Sequence, residues 1–259
     1  MAPAPGLRMF VCPNSLDIPD WPLARISACE VDVFSVSTHF SLSDIGQLRT
    51  LLTDDELSRA DRFRFDEHRN QYTIARGWLR LLLSGYTGRD ATQLRFAYAS
   101  NGKPELVSDT GEASIDFNVA HSEELIVLAF ARHRRLGIDI ERIRQDVAYD
   151  DLAQRYFSAA EYACLRELAP TRRANAFFAC WTRKEAYVKA LGYGLALPLP
   201  SFDVFLDANV PYHIMRPSFE PGVQWHIQNL EVASGYAAAL ALEEANSTPT
   251  TAAEVFSIS

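Results

Sequence analysis

Two helix starts written in the same way constrain this chain more than any other feature. Thr53-Asp54-Asp55-Glu56 and Ser158-Ala159-Ala160-Glu161 each set a hydroxyl where a helix would begin and a glutamate three residues on. In such a capping box the hydroxyl accepts from the backbone of the first turn, and the glutamate reaches back to the cap residue's own N–H. An Arg-rich helical segment follows each box, and then a second helix, over 72–84 in one half and 174–191 in the other. Ala75-Arg76-Gly77-Trp78-Leu79-Arg80 stands in the first half where Thr182-Arg183-Lys184-Glu185-Ala186-Tyr187 stands in the second. This predicts a duplicated α/β unit.

Strand candidates recur behind each helical block. The first half offers 94–98 and 125–130; the second offers 202–206, 224–227 and 236–240. Residues 29–33 alternate apolar and polar, as a half-buried strand does. Short strands with no helix between them favour antiparallel pairing. The expected fold class is therefore α+β, with two similar α/β subdomains. The first spans 1–134 and opens with an irregular arm to about residue 25, where Pro3, Pro5, Pro13, Pro19 and Pro22 fall. The second spans 135–243, and a flexible tail occupies 244–259. Arg132-His133-Arg134-Arg135 marks the polar join.

Composition narrows the function class. Hydrophobic residues make up 48% of the 259, enough for a substantial core. A net charge of −8 argues against nonspecific nucleic-acid binding. Cys12, Cys29, Cys164 and Cys180 form no C-x-x-C pair, which fits free thiols in a reducing compartment. No secretory leader is evident, and no apolar run approaches the roughly 20 residues that span a bilayer. The expected setting is the cytoplasm.

The residues able to do chemistry lie in separate stretches. In Gly137-Ile138-Asp139-Ile140-Glu141, strand alternation puts Asp139 and Glu141 on one face, roughly 6–7 Å apart along the backbone, and turns Ile138 and Ile140 into a core. Two such acids repel unless neutralised, as a divalent cation would do; an ordinary solvent-facing edge strand is the bland alternative. Glu185 and Lys189 are one helical turn apart. Alone they read as a surface ion pair, but Phe177, Phe178, Trp181, Tyr187 and Val188 make this helix too apolar to be freely solvated. His121 and Ser122 sit at a strand-to-turn transition, as phosphate contacts or as ordinary turn residues. Asn101-Gly102-Lys103-Pro104 is a turn whose lysine is either solvated or presented to a phosphate. Arg76 and Arg80 repel at a four-residue spacing, which a bound anion would relieve, or they form a solvated basic face. The remaining histidines, His39, His68, His133, His213 and His226, show no metal-ligand spacing. No nucleophile elbow, Walker loop or dinucleotide-binding glycine fingerprint is present.

In order along the chain, NGKP at 101–104, FNVAHS at 117–122, GIDIE at 137–141 and FFACWTRKEAYVKALGYGL at 177–195 resemble the 4′-phosphopantetheinyl transferases, specifically the large, pseudodimeric Sfp-type members. The resemblance covers most of residues 40–242. It implies two similar subdomains packed as an intramolecular pseudodimer, with coenzyme A in the cleft between them. It also implies transfer of the phosphopantetheine arm of coenzyme A to a serine of an acyl or peptidyl carrier protein, with adenosine 3′,5′-bisphosphate leaving. By the same resemblance Asp139, Glu141 and Glu185 would bind Mg²⁺, or Mn²⁺ in its place. Lys189 would offset charge on the leaving bisphosphate. Gly102, Lys103 and Pro104 would contact the adenine and a nearby phosphate, His121 would contact phosphate with Ser122 beside it, and Arg76 and Arg80 would help form the nucleotide end of the cleft. Glu185 or Glu141, directly or through a water, would take the serine proton. Ala120 departs from the pattern, since relatives often carry serine there, and this removes a hydroxyl contact to phosphate. The expected protein is a monomer that binds neither nucleic acid nor membrane. An inactive coenzyme A or carrier-binding module and an unrelated Mg²⁺-dependent nucleotide hydrolase are the competing readings; the intact acid set speaks against the first.

Overall fold

Each half of the chain is a strand, three helices and two further strands. The computed structural model describes residues 6–16, 26–98, 102–107, 115–194, 197–204, 219–220 and 222–244. The first unit contains β2 (Glu30–Ser37), α1 (Leu42–Arg49), α2 (Asp54–Ala60), α3 (Asp66–Thr87), β5 (Ile115–Ser122) and β6 (Leu125–Arg132). The second contains β7 (Leu136–Arg142), α4 (Tyr149–Tyr156), α5 (Ala159–Glu167), α6 (Pro170–Leu191), β8 (Trp225–Asn229) and β9 (Tyr236–Glu243). Their strand orders correspond, β2-β6-β5 and β7-β9-β8, with every neighbour antiparallel. Two additions break the symmetry. β1 (Gly6–Val11) pairs in parallel with β2, and β3 (Phe96–Tyr98) pairs with β4 (Pro104–Leu106) as a separate two-stranded ribbon.

Both capping boxes form. Thr53 N donates to Glu56 Oε2 at 3.1 Å, and Ser158 N donates to Glu161 Oε2 at 2.9 Å. The long helices α3 and α6 each have 22 residues and end on a left-handed glycine, Gly88 at φ 67° and Gly192 at φ 73°. Both begin a few residues before the predicted 72–84 and 174–191. Pro170 starts α6 at a first-turn position, where its missing N–H costs nothing.

Three apolar cores give a helix–sheet–sheet–helix order. α3 packs Ile74, Trp78 and Leu82 on Phe34, Leu128 and Phe130. α6 packs Phe177 and Tyr187 on Trp225, Ile227 and Ala239. The opposite faces of both sheets meet through Val33, Ala129, Ile138, Ile140 and Leu240. Alternation along β7 therefore sends Ile138 and Ile140 into the shared core and turns Asp139 toward α6. β5 and β7 run side by side without a full ladder. Asn118 Oδ1 accepts from Ile138 N at 2.9 Å and Ser122 Oγ accepts from Arg142 N at 3.0 Å, so side chains tie the halves together.

Several expectations are corrected. The arm is not irregular throughout, because residues 6–11 form β1. Arg8 anchors it with Nε on Asp32 Oδ1 at 2.6 Å and Nη2 on Asp32 Oδ2 at 2.8 Å, and Tyr86 also donates to Asp32. β2 is buried along both faces rather than half-buried, because α3 packs on one face and the second sheet on the other. Pro3, Pro5, Pro19 and Pro22 lie outside the described residues. The strand over 94–98 shortens to β3, because Leu94 O accepts from Arg80 instead. The strand over 202–206 does not form at 202–204. Phe202 O accepts from Lys184 Nζ at 2.6 Å and Val204 N donates to Glu161 Oε1 at 2.5 Å, so side chains take up the backbone groups a ladder would use. Residues 205 and 206, His213 and the tail from 245 onward lie outside the described residues, as do Asn101 and Leu195 of the quoted motifs.

β7 and α6 approach too closely for any side chain at Gly137. A Cβ there would stand 2.1 Å from Ala186 O and 2.4 Å from Ala190 N. Both contacts are with helix backbone, which cannot swing aside. Gly137→Ala should therefore lower stability by about 1–3 kcal/mol and push α6 off β7. A urea midpoint equal to wild type would refute this account of the crossing.

Candidate active site at the β7–α6 junction

That crossing brings a strand's acids against a helix's acid and amine. Lys189 Nζ donates to Asp139 Oδ1 at 2.6 Å, while Asp139 Oδ2 is buried with no hydrogen-bond partner. Glu141 Oε2 accepts from Ser122 Oγ at 3.0 Å. Glu185 lies one turn before Lys189 on α6. Burial is the first cause raising the pKa of all three carboxyls. The negative charge of Asp139 raises Glu141 and Glu185 further, and Glu141 also raises Glu185; Lys189 pulls all three the other way. The acids are thus electrostatic neighbours, as the sequence predicts. Among the described residues, no three His, Cys, Asp or Glu side chains close into a ready metal centre. Asp139 is held by Lys189 and Glu141 by Ser122, which is how unneutralised acids settle.

Beside this junction opens a cleft of about 480 Å³, lined among others by Arg59, His68, Arg76, Gly102, Pro104 and His121. Burial, then Lys189 and His68, hold the His121 imidazole below its usual pKa, which ties the cleft electrostatically to the acid cluster. Gly102 adopts φ 83° and has open space around its Cα, so the turn brings backbone to the cleft without a side chain. Arg76 donates from Nη2 to Tyr98 Oη at 2.9 Å and lies 4.2 Å over the Phe96 ring.

The structure places Arg80 and Lys103 away from this cleft and gives Arg76, which lines it, a carboxylate partner as well. Arg80 is 1% exposed, and its guanidinium donates to Glu56 Oε2 at 2.7 Å and to Ala91 O at 2.6 Å. It supports the helix from inside and does not line the cleft that Arg76 lines. Arg76 shares that carboxylate through Nε, so Glu56, rather than a bound anion or solvent, relieves the repulsion between the two arginines. Lys103 does not line the cleft that Gly102 and Pro104 line. Its Nζ donates to Leu136 O and to Lys189 O, each at 3.0 Å, beside a second cavity of about 340 Å³ that Asp116 and Arg135 also line. Arg59, His68 and Tyr72 line the main cleft yet are absent from the residues the sequence singled out, where His68 was weighed only for metal spacing. Their signal was the basic, aromatic run over 59–72, which crosses from α2 into the first turns of α3.

Comparison with known proteins gives matches over both halves of the chain. Residues 40–133 match the family described as 4′-phosphopantetheinyl transferase, N-terminal, and residues 135–241 match the 4′-phosphopantetheinyl transferase superfamily. The 4′-phosphopantetheinyl transferase HetI of Nostoc is 38% identical over 194 residues, which is 75% of this chain and 81% of that protein. A putative 4′-phosphopantetheinyl transferase of Synechocystis is 33% identical, over 70% of this chain and 72% of its own length. The 4′-phosphopantetheinyl transferase Sfp of Bacillus subtilis is 29% identical, over 72% of this chain and 80% of its own. With both halves matched in order, and the acid-bearing strand and helix inside the second match, this chain belongs to the 4′-phosphopantetheinyl transferase superfamily.

Proposed function

We propose that this protein moves the 4′-phosphopantetheine arm of coenzyme A onto a serine hydroxyl of an acyl or peptidyl carrier protein, converting apo carrier to holo carrier and releasing adenosine 3′,5′-bisphosphate. The observation that carries the reading is the gathering of Asp139, Glu141, Glu185 and Lys189 beside a cleft furnished with Arg59, His68, Arg76 and His121. The cleft volume suits a small-molecule cofactor. The acids would hold the metal and serve the nucleophile, and the cations would hold the nucleotide.

The three acids fit a hard divalent cation. Every donor is a carboxylate oxygen, and Asp139 Oδ2 is a buried acceptor with no protein partner. Asp139, Glu141 and Glu185 would hold Mg²⁺, or Mn²⁺ in its place, which when bound supplies neutralisation of the diphosphate charge. The other roles fall to side chains of this chain. The serine oxygen attacks the β-phosphorus, a new P–O bond forms, and the bond from that phosphorus to the bridging diphosphate oxygen breaks, that oxygen leaving on the 5′-phosphate of adenosine 3′,5′-bisphosphate. Glu185 or Glu141 accepts the serine proton; burial and neighbouring negative charge raise both carboxyls, and a bound cation would pull them down again and keep them ionised. Lys189 balances the charge growing on the leaving bisphosphate. His121, Arg76, Gly102 and Pro104 orient the nucleotide, and Ser122 holds Glu141 in place. The cleft lining comes from the first half of the chain and the acids from the second, so one chain supplies the whole site and the working unit is a monomer, placed in the cytoplasm. Among the described residues no helix is long and apolar enough to cross a membrane.

Intact-mass measurement of a panel of apo fatty-acid, polyketide and nonribosomal-peptide carriers, incubated with coenzyme A and Mg²⁺, tests the reading. At least one carrier should gain one phosphopantetheine. A panel without any gain, from protein that still binds coenzyme A, would replace the transferase with a binding module.

A further inference from the structure

Lys103 belongs to the first half of the chain, but both carbonyls it holds belong to the second. One acceptor, Leu136 O, opens β7; the other, Lys189 O, lies in the last turn of α6. Carbonyls in a helix's last turn have no partner within the helix, and a cation placed there also suits the helix dipole. Leu136 is fully buried, so water cannot easily serve its carbonyl. The two acceptors flank the crossing at Gly137, whose Cα leaves no room for a side chain against Ala186 O, Ala190 N and Lys189 C. The same short piece of α6 carries Lys189, whose ammonium sits on Asp139.

We propose that Lys103 is a positioning residue for the transfer reaction: by bridging the carbonyls of Leu136 and Lys189 it clamps the end of α6 to β7, at the height that seats Lys189 on Asp139. The loop at 102–104 then has two faces. Gly102 lines the cleft, Pro104 lines both cavities, and Lys103 lines the second of them, where its side chain holds the catalytic helix. The inference rests on the role proposed above for Lys189, and its test separates the two.

Lys103→Met keeps the stem and removes the ammonium. With full-length protein, coenzyme A, Mg²⁺ and an apo carrier, kcat should fall by about 10²-fold, the scale expected of a reacting group misplaced by 1 Å. The Kd for coenzyme A, read by calorimetry, should move by less than about threefold, because no phosphate contact is lost. Lys103→Met combined with Lys189→Ala should be no slower than Lys189→Ala alone, since a clamp acting through Lys189 has nothing left to position. A tenfold weaker Kd with unchanged kcat would overturn the proposal in favour of a phosphate ligand. Multiplicative losses in the double variant would overturn it while leaving the role of Lys189 intact. Wild-type turnover by Lys189→Ala alone would overturn both. If Lys103→Met does not purify folded, Lys103→Gln, which keeps one donor, carries the same comparison.

Discussion

Asp139→Asn and Glu185→Gln should each cut carrier modification by about 10³-fold or more while leaving the protein at least as stable as wild type in the absence of metal. The two halves of that expectation have one cause. Three carboxyls crowd the β7–α6 junction, burial raises the pKa of each, and Lys189 offsets only part of their charge. A folded state that raises an acid's pKa loses stability as pH climbs through the unfolded value, so at neutral pH these acids strain the fold. Exchanging one for its neutral amide relieves repulsion and preserves shape. Function needs the charge and stability does not, as expected of a site built for a cation and an anionic substrate. Thermal melts without metal, paired with intact-mass assays at saturating Mg²⁺, decide the matter. Near wild-type transfer by either variant would sink the site. Inactivity with a melting temperature several degrees lower would mean that the acids are structural.

The asymmetry between the halves sharpens this argument. Leu128 and Ala239 are each the fourth residue of β6 and β9, and they pair with Phe34 and Asp139. Ile126 and Ala237, each the second, pair with Val36 and Glu141. Glu185 and Leu81 are each the sixteenth residue of their long helices. Where the second half carries Asp139, Glu141 and Glu185, the first carries Phe34, Val36 and Leu81. At these matched positions only the second half carries acids, while the cleft lining comes from the first half.

The same comparison explains what was legible in the sequence. Alternation along 137–141 and the turn between Glu185 and Lys189 are local, so they pointed the acids correctly before any tertiary contact was known. The capping boxes were legible for the same reason. Partners distant in sequence were not. Nothing near Arg80 announced Glu56, and nothing near Lys103 announced the carbonyls of Leu136 and Lys189. β1 was hidden because its hold is a long-range pair, Arg8 with Asp32, set among prolines that read as loop. Residues 202–204 look like a strand by pattern, yet Lys184 and Glu161 capture their backbone. In each miss, a side chain supplied what secondary structure ordinarily supplies.

Glu56→Ala should be the most destabilising single change in the first half, at roughly 3–5 kcal/mol. Glu56 is the returning acid of the first capping box and also the shared counter-charge of Arg76 and Arg80. Both it and Arg80 are 1% exposed, so removing the carboxylate strands a guanidinium where water cannot reach. The second half repeats the device: Glu161 closes its own box and binds Lys184, which, like Arg80, is the fifteenth residue of its helix. Burial works to raise the carboxyl of Glu56, but the hydrogen bond from Arg80 and the charge of Arg76 overcome it and hold the pKa below its ordinary value. A depressed acid stabilises the fold above its unfolded pKa, and that contribution drains away as pH falls through the lower, folded value. Wild type should therefore lose stability on acidification more steeply than Glu56→Ala, and the two curves should converge at low pH. Urea denaturation across the acid range reads both effects. A neutral-pH loss under about 1 kcal/mol would show that the arginines find solvent when released, and that the two-arginine, one-glutamate knot is not what fastens α2 to α3.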